Sequence, residues 1–107
     1  MRFFARHRWG KSEASTNDGI VEVLVGELDA PGHDDEHVEV SVRLPSGWAV
    51  GCYPSGLVVI ENVEDLDVPP RHLAGVSRGE AGRIMTLLVR GELDALEALP
   101  WRKGYGP

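Results

Sequence analysis

A chain of 107 residues is long enough for one domain with a modest core and too short for two. A hydrophobic fraction of 42% and a charged fraction of 26% are those of a folded globular protein, and they exclude disorder over most of the length. The formal net charge is −6, yet Arg2, Arg6, Arg8 and Lys11 put +4 on the first eleven residues, leaving −10 on residues 12 to 107.

Such an acidic body repels a phosphate backbone and attracts a cationic partner, so nucleic acid is not an expected ligand. No apolar run approaches a membrane span, and the start MRFFARHRWGKSEAST lacks the apolar stretch of a secretory signal. Cys52 is the single cysteine and requires no oxidising compartment. A cytoplasmic protein without membrane contact is expected.

Residues 1 to 19 have no clean period and end in SEASTNDG, which reads as a basic, aromatic N-terminal arm and linker. The single folded domain is expected over residues 20 to 107, closing in a short tail. Ile20 to Leu28 is rich in valine and reads as a first strand, followed by the polar loop DAPGHDDE. Residues 37 to 45 alternate, with Val38, Val40, Val42 and Leu44 on one face and Glu39, Ser41 and Arg43 on the other, the pattern of a half-buried antiparallel strand.

The turn Pro-Ser-Gly then occurs twice, at 45–47 and 54–56. Proline presets its backbone angle and glycine accepts a positive one, so each copy reverses the chain and bounds strands near 48 to 53 and 57 to 62. After Asp67-Val68-Pro69-Pro70 the period becomes helical. Ser77 with Glu80 forms a capping box, and Ala81, Ile84, Met85 and Leu88 fall on one face of the helix it opens. Gly91 stops that helix, and Leu93, Leu96 and Leu99 mark a short second one ended by Pro100. The expected fold is α+β: an antiparallel four-stranded meander followed by one or two C-terminal helices packed on one face of the sheet, with Val38, Val40, Val42, Ile84 and Leu88 in the core.

Several groups could carry chemistry. Gly75-Val76-Ser77-Arg78-Gly79 matches the serine-hydrolase elbow G-x-S-x-G, but residues 69 to 74 do not read as a strand and no histidine follows His72, so capping accounts for Ser77. His33, Asp35 and His37 are metal-ligand types within one contiguous polar loop, whereas closed sites draw ligands from separate rigid elements; no metal or other cofactor is expected. Glu61, Glu64, Asp65 and Asp67 form an acidic run without the glycine of an EF-hand, which suits a solvated edge or a docking surface. Cys52, between Gly51 and Tyr53, reads as a packing residue. Phe3, Phe4 and Trp9 near one end and Trp101 and Tyr105 near the other can pack on the protein itself, on a second subunit or on a partner.

Two functions of different class follow. The first is a small acidic protein-binding domain without catalytic activity, contacting a protein partner or a second copy through Trp9, Glu61, Glu64, Asp65, Asp67, Trp101 and Tyr105. The second is a small enzyme or metal-dependent module built on the His33/His37 loop. With no convergent catalytic residues, the first is expected.

One resemblance points the same way. The segment with a Val68-Pro69 entry, an amphipathic helix, Gly91 and a closing Trp101 resembles the close of some actinobacterial toxin-immunity proteins, over about a third of the chain. No helix is expected at the start, where that family opens on one. The resemblance implies a protein that binds and blocks a partner toxin.

Overall fold

A computed structural model describes residues 1–30 and 39–106. Its elements in chain order are β1 (Phe3–Arg6), β2 (Ser12–Ser15), α1 (Ile20–Glu27), β3 (Val40–Arg43), β4 (Trp48–Cys52), β5 (Val58–Asn62), β6 (Arg71–Leu73), α2 (Arg78–Val89), α3 (Leu93–Glu97) and β7 (Arg102–Lys103). All seven strands join one antiparallel sheet in the order β2-β1-β3-β4-β5-β6-β7. The class is α+β, as the sequence implies, but the sheet has seven strands rather than four.

The meander β3-β4-β5 forms as expected, and its two reversals have the predicted chemistry: Gly47 and Gly56 sit at φ +100° and +91°, a region that costs any residue with a Cβ. Two other expectations fail. Ile20–Glu27 is a helix, not a strand: Val21, Leu24 and Leu28 recur at helical spacing and are buried, while Val23 and Gly26 face outward. Valine-rich composition suggested extended chain, but burial of one stripe outweighs that weak preference. The segment read as an arm instead supplies β1, which lies between β2 and β3 and buries Phe3 and Ala5 almost completely.

The added strands β6 and β7 are short, and β6 lies in the stretch 69 to 74 that did not read as a strand. Pairing to β5 holds it there. Ser77 is the N-cap of α2, its hydroxyl accepting the Glu80 backbone N–H at 3.2 Å. The chain breaks at Gly91 (φ +71°) before α3, as expected.

α1 and α2 pack against each other, and the helices cover one face of the sheet. The core beneath them includes Val40, Val42, Val50, Cys52, Ile60, Ile84, Met85 and Leu88. Val38, assigned to this core from the sequence, lies outside the described residues. Beyond β1 the backbone passes through His7, which is buried with Nδ1 2.6 Å from Glu27 of α1 and Nε2 2.8 Å from Glu13 of β2. Arg8 donates to the carbonyls of Glu27, Leu28 and Ala30, a cation capping the carbonyl end of α1.

Candidate functional site

Strands alternate faces, so every side chain on the helical side leaves its neighbour on the other. On that second face, which no helix covers among the described residues, the register sets Phe4, Arg43, Ala49 and Glu61 in one row across β1, β3, β4 and β5. A second row runs Ser12, Arg6, Ser41, Gly51, Val59 and His72. The middle of both rows is small, at Ala49, Ser41 and Gly51. Larger side chains rise around it, and the result is an open groove of about 560 Å³ whose lining also includes Glu39, Tyr53 and Tyr105.

The walls differ in charge. On one side the guanidinium of Arg43 lies 5.0 Å and that of Arg2 5.5 Å from the centre of the Phe4 ring, with Arg6 on the same strand as Phe4. On the other, Glu61 stands with Tyr105, and the nearby carboxylate makes the phenol harder to ionise. Glu39 reaches over the floor: a Cβ added to Gly51 would lie 2.9 Å from its Oε2. Tyr53 faces the same carboxylate, and burial, reinforced by Glu39, pushes its phenol up to about 12. Both tyrosines therefore remain neutral donors at physiological pH. Arg43 reaches Glu64 only at 3.9 Å, and neither Glu39 nor Glu61 has an ion-pair partner among the described residues.

The residues singled out from the sequence are dispersed. Glu61 and Tyr105 meet in this groove. Glu64, Asp65 and Asp67 lie on the turn beyond β5, exposed, where Asn62 Oδ1 accepts the backbone N–H groups of Glu64 and Asp65; Leu66 at its tip is 93% exposed. Trp9 is 60% exposed and stacks on His7 with centroids 5.3 Å apart. Trp101 folds back, its indole N–H donating to the Leu96 carbonyl at 2.8 Å. His33, Asp35 and His37 lie outside the described residues.

Cys52 is 1% exposed on the helical side of β4, and burial, partly offset by Arg78, pushes its thiol up to about 12. It is a packing residue of the core, without the lowered pKa that a reactive thiol requires. Among the described residues no group of three or more His, Cys, Asp or Glu side chains could hold a metal ion, and no helix is long and apolar enough to cross a membrane.

Sequence reasoning missed most of the groove, Arg6, Glu39, Arg43 and Tyr53, and had Phe4 only among the terminal aromatics. The signal was present in the alternation Glu39, Ser41, Arg43, which read as an ordinary solvated face. What makes it a site is the pairing of β3 with β1 and β4, which no local pattern encodes. Comparison of the chain with protein-family models, with curated proteins and with solved structures finds no match.

Proposed function

We propose that this protein is a small, non-catalytic protein-binding domain of the cytoplasm, and that the sheet face opposite the helices is its recognition surface. One observation carries the reading: a sheet closed on one face by α1 and α2 leaves on the other a concave floor of Ala49, Ser41 and Gly51, walled by aromatic and oppositely charged side chains. Anchors of this kind, amphipathic and held on rigid strands, are those that dominate protein contacts. The resemblance of the Val68–Trp101 segment to toxin-immunity proteins points to the same class, a domain that acts by occupying a partner.

The test is capture of a partner from the source organism by wild-type protein and by Arg43→Glu and Glu61→Lys variants with unchanged melting temperatures. The expected result is one discrete partner, held less strongly at high salt and lost with either charge reversal. Undiminished capture by both variants would remove the groove from the reading, and no capture at all would refute binding itself.

A further inference from the structure

The groove has a direction. Arg43 and Glu61 flank Ala49 in register, two strand spacings or about 10 Å apart, so a cationic wall faces an anionic one across a floor without side-chain bulk. The anionic side is the better built of the two. Glu39, just before β3, and Glu61, on β5, approach it from different segments, and each is accompanied by a tyrosine. Gly51 is the position at which a side chain would collide with Glu39, so the glycine keeps this carboxylate lying over the floor. The arginine wall is partly satisfied from within, Arg43 resting on Phe4 and approaching Glu64. The anionic wall has no ion-pair partner among the described residues.

We infer that the groove receives a lysine or arginine side chain of the partner protein, its cationic head set between Glu39 and Glu61 and its stem lying against Tyr53 and Tyr105. The inference rests on the protein-binding reading above and names the chemistry of the contact. Tyrosine rings offer a cation their electron-rich faces, the two carboxylates supply charge-assisted acceptors, and the rings can also flank a long aliphatic stem. The acidic body steers such a partner inward over longer range. The arginine wall repels a second cation beside the first, which fixes which way the partner lies.

The probes are three blocked peptides, acetyl-Gly-Lys-Gly-amide, acetyl-Gly-Arg-Gly-amide and the same lysine peptide with its side-chain amine acetylated, titrated into isotope-labelled protein and followed by NMR. The expected result is saturable shifts at Ala49, Gly51, Tyr53 and Glu61 with both cationic peptides, and at least about tenfold weaker binding of the acetylated one. Glu39→Gln with Glu61→Gln, and separately Gly51→Ala, should weaken the cationic peptides by a similar factor. Equal shifts from the neutral peptide, or no shifts at the groove, would overturn the inference. Partner capture that survives Glu39→Gln with Glu61→Gln would also overturn it while leaving the domain a binding protein.

Discussion

The same substitution, glycine to alanine, should have opposite signs at two positions. Gly47 ends the first Pro-Ser-Gly turn at φ +100°, where a Cβ costs on the order of 1–3 kcal/mol of backbone strain. That Cβ would also lie 2.7 Å from Glu64 Cβ and Cγ, closer than real contacts allow. Relief requires the turn to open, which strains the Val63 N–H bond to the Gly47 carbonyl at 2.9 Å and the Asn62 bonds to Glu64 and Asp65. With a net contribution of about 1 kcal/mol for a bond lost there, Gly47→Ala should destabilise by about 2–4 kcal/mol, against a total of roughly 5–15 for a domain of this kind. Gly79, in the first turn of α2, has nothing within 4 Å of an added Cβ and no positive φ, so Gly79→Ala should stabilise by about 0.4–1 kcal/mol. Urea unfolding measures both: with a slope of about 2 kcal/mol/M, the Gly47 variant should lose about 1–2 M in midpoint while the Gly79 variant gains a few tenths. Equal midpoints, or a destabilised Gly79 variant, would refute this reasoning.

Three further outcomes are expected. Leu88, fully buried on α2, should cost about 2–5 kcal/mol when changed to alanine, whereas Ser77→Ala, which removes one cap, should cost about 1; equal losses in denaturant titrations would contradict the packing assigned to α2. Burial alone would lower the pKa of His7, but hydrogen bonds and charge from Glu27 and Glu13 outweigh it, and the net shift is upward. The stability His7 contributes is therefore fully present below about pH 6.5 and is lost as pH rises through the raised value, a decline that melting curves should record and that His7→Gln should flatten. Chelation should leave the melting temperature unchanged; a fall that disappears in a His33→Ala, His37→Ala variant would instead place a stabilising metal on that loop.

What could be read from the sequence was local. The two Pro-Ser-Gly reversals, the Ser77 cap and the stop at Gly91 each depend on a few neighbouring residues whose backbone preferences are strong, and all were legible. Ile20–Glu27 was not, because its valines favour a strand while its buried stripe favours a helix, and the arbiter is a tertiary contact with α2. Phe3–Arg6 carries only four residues of alternation, and its strand character comes from partners six and more residues away. The groove shares this limit: Phe4, Glu39, Tyr53, Glu61 and Tyr105 come from widely separated segments, and only the sheet register makes them neighbours.

The placement of β1 inside the sheet changes what trimming the chain would do. Removing residues 1 to 11 looks from the sequence like shortening a basic tail. In the fold it takes away the strand between β2 and β3, empties the core positions of Phe3 and Ala5, and turns β3 into a bare edge with unpaired backbone groups. Such a slot is a template for an invading strand, and in a truncated preparation no molecule carries the β1 that would fill it, so the bare edges are left to pair with one another. A truncated preparation should therefore aggregate edge to edge, and a loss of partner binding in it would report a damaged scaffold rather than a missing contact.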